Sequence, residues 1–402
     1  MRRSFRVVLF TGALQFLAFH SSFSNTAMID SLLQEARHTF APDRRTVVFD
    51  VTGRLQGETV VLSGEVYDAA LHDTLMAFVR SRVSQPVVDS VIALPHPDLG
   101  DRTFGIVTVS AGNIRSAPSH SAELVSQAWL GSPLRVLKKE KSWYYVQTPD
   151  QYLGWMSGGF QQMDREQYAR WTESPKVIVT SEYSVVRAVP RDSGSVISDV
   201  VTGGVLALDE ETGEFYQVEY PDGRVGFLPK RDALPVVEWL REAVATPERI
   251  VATALRFMGV PYLWGGTSAK GFDCSGFTKT VYFLNGLQLP RDASQQALVG
   301  DPVEPDSDLQ HAQVGDLLFF GRKVHDGKAR VTHVGIYVGD QRFINASGNP
   351  GYVLVNSLSP SEPGYSGQRR KTYLFARRII GAGEESGVHR VSGLSFFNRG
   401  GH

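Results

Sequence analysis

The stretch GFDCSGF, residues 271 to 277, carries Cys274, the only cysteine in 402 residues. One thiol cannot close an intrachain disulfide, and without companion cysteines it cannot build a structural zinc site. It is therefore either a small buried hydrophobe or a nucleophile. Asp273 is placed to cap a helix that begins at Cys274 and carries Phe277, Val281 and Leu284 on one face before Asn285-Gly286 ends it. A thiol in the first turn of a helix faces the positive end of the macrodipole, so its thiolate is expected to be favoured and its pKa lowered. The free N–H groups of that turn could also hold an oxyanion.

Such a nucleophile needs a base that works near neutral pH, and ten histidines are available. His333 opens a strand-like run, RVTHVGIYVGD, where an imidazole ahead of apolar alternation calls for a partner. If Gly339, Asp340 and Gln341 form a three-residue hairpin loop, position 333 faces 347 and 345 faces 335. Asn345 then lies diagonally beside His333 and could orient its ring.

The elements that would position these groups follow from the surrounding pattern. Thr246-Pro247 reads as an N-cap followed by proline at the first helical position, and Gly259 is placed to end that helix. After the Cys274 helix come strand-like stretches, GDLLFFG, HVGIYVG, RFINAS, GYVLVNSL and TYLFARRI. Helices first and an antiparallel sheet afterwards make an α+β domain over about 240–380.

Within that domain PYLWGG, GFDCSGF, LPRDASQQ, GDLLFF and THVGIYVGDQRFINASG occur in order. Together they resemble the NlpC family of papain-like cysteine peptidases. The resemblance implies Cys274 as nucleophile, His333 as general base and Asn345 as the third polar residue, a place more often held by histidine. It also implies that the Tyr262 hydroxyl assists the oxyanion and that Trp264 lines the cleft. Asp273, Ser275, Asp292 and Ser294 match positions that hold the γ-D-glutamyl part of a cell-wall stem peptide. No metal and no cofactor is implied.

Upstream, two segments repeat at an offset of 72: Arg115 and Pro118 answer to Arg187 and Pro190, Trp143 to Phe215, and Gly154-Trp155 to Gly226-Phe227. Each copy has short strands between turn residues, which predicts a small all-β barrel over 101–165 and again over 174–236. The run W-x-x-V-x-x-P-D-x-x-x-G-W resembles the bacterial SH3-like barrels that accompany wall hydrolases. Two such barrels before an NlpC-type domain is similar to the layout of γ-D-glutamyl-L-diamino acid endopeptidases. That likeness implies that Glu123 and Tyr152 of the first barrel meet the free amine of an N-terminal L-alanine. The second copy has Ser195 and Arg224 at those places.

The rest of the chain looks supportive. Residues 30–100 read strand, strand, helix, strand, a small α/β module that resembles the BON type of the bacterial envelope. Arg2, Arg3 and Arg6 precede the apolar run 7–19 and a small polar stretch, the layout of a secretory signal over 1–24 with cleavage expected after Ser24. The tail 381–402 is glycine-rich and expected to be flexible, with Phe396-Phe397 as the pair able to dock. A net charge of -1 without a basic block gives no electrostatic case for nucleic acid or an anionic membrane. The expected product is a monomeric, exported multidomain enzyme with no stable membrane anchor. Its expected partners are murein stem peptides containing meso-diaminopimelate or L-Lys.

Overall fold

A computed structural model of the chain describes residues 13–304, 306, 308–324, 329–394 and 397, with 13–26 given by backbone alone. The chain divides into two compact units, one ending at Leu99 and one beginning at Gly100. Each is described by itself.

The first unit holds three strands, Phe49–Gln56, Thr59–Val66 and Val87–Ala93, with the helix Ala69–Arg80 between the last two. The first pair is antiparallel and the second parallel, as a helical crossover requires. A further helix, Ala13–Phe40, precedes the sheet. Its Ile29, Leu32, Leu33 and Ala36 are buried with Val60, Leu62, Leu75 and Met76. Their spacing of three, four and seven is a helical stripe, and the strand-first reading of this module passed over it. Of the expected leader 1–24, residues 1–12 lie outside the described residues and 13–24 form the start of the helix Ala13–Phe40. Among the described residues, no helix is long and apolar enough to cross a membrane.

The second unit begins with two seven-stranded antiparallel sheets that have the same strand order. The internal repeat is a repeat of structure as well: the strand Ala111–Arg115 answers to Tyr183–Arg187, Leu124–Trp129 to Val196–Val201, and Trp143–Gln147 to Phe215–Glu219. Even the irregularities recur. A register shift between Ile114 and Arg115 is matched between Val186 and Arg187, and one between Val136 and Lys138 is matched between Leu208 and Glu210. Because each bulge turns its strand at the same place, the two sheets curl alike.

The α+β part that follows has a six-stranded antiparallel sheet, with the strands Leu317–Lys323, Ala329–Gly339 and Arg342–Ser347 as its middle. The helices Pro247–Arg256 and Cys274–Leu284 share one core with this sheet, in which Ile250, Phe277, Val281, Phe319, Val334 and Ile344 are buried. The Thr246 side chain accepts from the Arg249 amide and Pro247 sits at the first turn, as the sequence pattern predicts.

The tail departs from expectation. His389–Arg390 pairs with Leu287–Gln288, Val388 and Val391 are buried, and Phe397 packs with Trp239 and Phe283. The described part of 381–397 is thus a packed strap, because its few apolar residues find an aromatic cluster whose composition gave no local sign. Phe396 lies outside the described residues.

Candidate active site

Cys274 opens the helix Cys274–Leu284, with Asp273 as its N-cap. The Asp273 carboxylate accepts from the Gly276 amide at 2.7 Å and the Gly265 amide at 3.0 Å, and pairs with Arg291 at 2.6 Å. Arg291 is almost wholly buried and also donates to Ser275 Oγ and, from its Nε, to Ser126 Oγ of the first barrel. A buried guanidinium with this many acceptors is satisfied, and it fixes the turn that aims the thiol. Asp273 and Ser275 thus have their visible partners within the protein.

The thiol itself is 8% exposed. Burial pushes its pKa up to about 12, and the Asp273 charge adds to this against the opposing amides of Val334 and Ser275. The expectation of a lowered pKa is therefore overturned: the helix terminus does favour a thiolate, but loss of water outweighs it, and the capping carboxylate stands beside the sulfur. The thiol meets the amide of Val334, the residue that follows His333 in the chain.

His333 lies on the strand Ala329–Gly339 and is also buried. Its Nε2 meets Asn345 Oδ1 at 2.8 Å. An amide oxygen only accepts, so Nε2 carries the proton and the Nδ1 lone pair is left to act as base. Asn345 is held in that sense because its Nδ2 donates to Asn356 Oδ1 at 3.0 Å. Burial lowers the His333 pKa to about 3, with the Arg369 charge contributing, so the resting imidazole is neutral.

The expected pairing is present, but the expected three-residue loop is not. Gly339 pairs with Arg342 around a two-residue turn, Asp340-Gln341, whose φ values of 51° and 58° are those of a type I′ turn. A bulge between Tyr337 and Gly339 then restores the register to Ile336 opposite Ile344, which sets Asn345 against Gly335.

Tyr262 is half-buried, and burial with the nearby Cys274 and Asp273 charges raises its pKa, so its hydroxyl remains a proton donor. Trp264 is 61% exposed and its Nε1 donates to Glu123 Oε1 at 2.7 Å. The buried Tyr152 donates its hydroxyl proton to Asp292 at 3.2 Å. Asp292 caps the short helix Ala293–Gln296, on which Ser294 stands half-buried. Both first-barrel residues singled out from the sequence therefore touch residues of the α+β part that were singled out independently.

Sequence reasoning missed Arg291, Asn356 and Arg369. A lone arginine or asparagine in a loop or strand reads as solvated, and only PRDASQQ, quoted for its aspartate and serine, pointed near Arg291. Among the described residues, no group of three His, Cys, Asp or Glu side chains is gathered so as to hold a metal ion.

These features are those of a papain-like thiol site built on an antiparallel sheet, with a small β domain at its edge. Residues 259–368 match the family model described as the NlpC/P60 family, and residues 114–158 match the one described as the bacterial dipeptidyl-peptidase Sh3 domain. The γ-D-glutamyl-L-lysine dipeptidyl-peptidase of Bacillus cereus is 33% identical over 65% of this chain and 77% of its own length. Dipeptidyl-peptidase 6 of Lysinibacillus sphaericus is 30% identical over 65% of this chain and 93% of its own. A solved NlpC/P60 family protein from Bacillus cereus is 28% identical, with a TM-score of 0.59 over 69% of this chain and 99% of that one. The chain belongs to the NlpC/P60 family.

Proposed function

We propose that this chain is an exported cysteine endopeptidase that hydrolyses the bond between γ-D-glutamate and the diamino acid of murein stem peptides bearing a free N-terminal L-alanine. The observation that carries the reading is the pair of contacts Glu123 to Trp264 and Tyr152 to Asp292, which bring the first barrel to one end of the cleft. A cleft closed at that end admits a short acyl portion and no more. The names of the relatives, dipeptidyl-peptidases acting on γ-D-glutamyl-L-lysine, agree with it. The second sheet is read as a further SH3-like barrel, the first unit as an envelope module, and residues 1–24 as a leader.

In the mechanism, His333 Nδ1 takes the thiol proton as Cys274 Sγ attacks the γ-carbonyl carbon. Because both groups rest neutral, this transfer creates an ion pair without changing the net charge of the site. The oxyanion is held by the amides at the start of the Cys274 helix and by the Tyr262 hydroxyl. Collapse breaks the C–N bond, and His333 returns its proton to the leaving amine of the diamino acid. Water, deprotonated by the same Nδ1, then attacks the thioester and frees the dipeptide and the thiol.

The test is incubation with L-Ala-γ-D-Glu-diamino acid peptides and mass analysis of the products, with Cys274→Ala as the blank. Release of L-Ala-γ-D-Glu by the wild type alone is expected. Intact peptide, or equal cleavage by the alanine variant, would sink the reading and favour a wall-binding role for the barrels.

A further inference from the structure

Arg369 belongs to the short helix Gly367–Thr372. Its guanidinium carbon lies over the Phe320 ring, 5.6 Å from the centroid, and that ring is 5.8 Å from the His333 ring. Its charge acts on His333, and it is acted on in turn by Cys274 and Tyr262. It therefore stands within electrostatic reach of the whole catalytic centre.

What distinguishes it is the lack of an anion. Among the described residues no carboxylate, carbonyl or hydroxyl accepts a hydrogen bond from its guanidinium. The next residue, Arg370, donates to Leu358 O and Gln341 Oε1, while Arg378 is paired with Asp316. Arg369 is also desolvated enough that burial weakens its hold on its proton. A partly buried guanidinium without a protein anion is available to pair with a carboxylate of the ligand.

The side of the cleft identifies that ligand. In the proposed reading the acyl portion of the substrate runs toward Trp264, Glu123 and Tyr152, where the first barrel meets the α+β part. Arg369 lies over Phe320, the ring that packs beside His333, and His333 is the group that must meet the leaving amine. We propose that Arg369 is the receptor for a carboxylate of the leaving diamino acid, so that the enzyme selects a leaving group that is both amine and anion. This rests on the peptidase reading above. Two carboxylates share this chemistry: the α-carboxylate next to the leaving amine, and the distal carboxylate that meso-diaminopimelate has and lysine lacks.

The experiment compares kcat/KM for L-Ala-γ-D-Glu-X, with X as L-lysine, its α-carboxamide, meso-diaminopimelate and its α-carboxamide, and adds an L-lysine peptide amidated on the D-glutamate α-carboxylate. The wild type should prefer the peptide that retains the recognised carboxylate by about 10- to 100-fold, the range expected for a charge-assisted contact. If the α-carboxylate is read, amidation harms both leaving residues. If the distal one is read, only diaminopimelate is favoured and its α-amide remains good.

Arg369→Gln should bring the preference to within about twofold, and Arg369→Lys should retain part of it. The ratio within one protein is independent of how much of that protein is folded. An unchanged ratio in Arg369→Gln, a uniform drop on all peptides, or a loss that follows amidation of the glutamate instead would each overturn the assignment. Failure of the wild type to cut any of the five would instead remove the peptidase reading beneath it.

Discussion

At the scale of single residues, the proposed catalytic pair is governed by exclusion of water. Cys274 and His333 are each pressed toward the neutral form, the thiol up to about 12 and the imidazole down to about 3. The resting free enzyme therefore holds thiol and imidazole, and the ion pair forms only as the substrate carbonyl arrives. Alkylation reports this directly. Iodoacetamide should label Cys274 more slowly than a free model thiol at pH 7. Its rate should keep climbing above about pH 10, where a thiol of ordinary pKa has nearly levelled off, because the folded value lies above the ordinary 9.0. Labelling faster than the model thiol at pH 7 would show a resting thiolate. The placement of these residues was legible from type and order: a lone cysteine that opens a helix after a capping aspartate, and a histidine at the head of an apolar strand run. Their charge states were not, because the helix terminus is a local feature while the desolvation that outweighs it is supplied by strands distant in sequence. Arg291 was hidden for the same reason, since its anchors Asp273, Ser275 and Ser126 lie 18, 16 and 165 residues away.

At the scale of elements, alternation and spacing carried most of the information. The offset of 72 specified strands, bulges and order in both β sheets because the same residues turn the chain at the same places. The hairpin that sets Asn345 beside His333 shows where such reading stops. Glycine at 339 signals a turn, but whether the loop has three residues or two plus a bulge depends on twist against neighbouring strands. Both give the same facing residues, so the pairing was inferred soundly from an incorrect loop. The tail was opaque: glycine content reads as flexibility, and Phe397 finds its pocket only among Trp129, Trp239 and Phe283. Phe397→Ala should therefore lower stability by about 3 kcal/mol, the cost of truncating a buried phenylalanine, measured as a shift in the urea midpoint at constant slope. An unchanged midpoint would return the tail to a flexible appendage.

At the scale of the whole second unit, the proposed reading makes the first barrel the element that decides what can enter. Its seat against the α+β part is close: a Cβ on Gly265, whose φ is +78°, would stand 2.3 Å from the Leu124 carbonyl oxygen, next to Glu123. Trp129 of the same barrel donates its Nε1 proton to the Thr267 carbonyl at 2.8 Å, and Gln127 accepts from the Thr267 amide. A wall fixed this tightly is a rigid stop, so its chemistry can be read as specificity. Glu123 offers a carboxylate at the rim and the Tyr152–Asp292 pair offers acceptors below it, which together suit an ammonium. The enzyme should hence cleave L-Ala-γ-D-Glu-diamino acid peptides with a free amine and fail on the same peptides acetylated at the N-terminus. Acetylation removes the charge that Glu123 would pair with, and its bulk meets the barrel instead of solvent. Glu123 is exposed, so the loss from the charge alone is expected at the modest end, about 10- to 30-fold in kcat/KM, with steric exclusion adding to it. Glu123→Ala should shrink the preference for the free amine by that modest factor and leave the steric part. Alanine at Ser195, the matching place in the second sheet, should leave the preference as it is. Equal rates on free and acetylated peptides, measured by product mass over time, would refute the amine pocket and leave the barrel as a wall anchor.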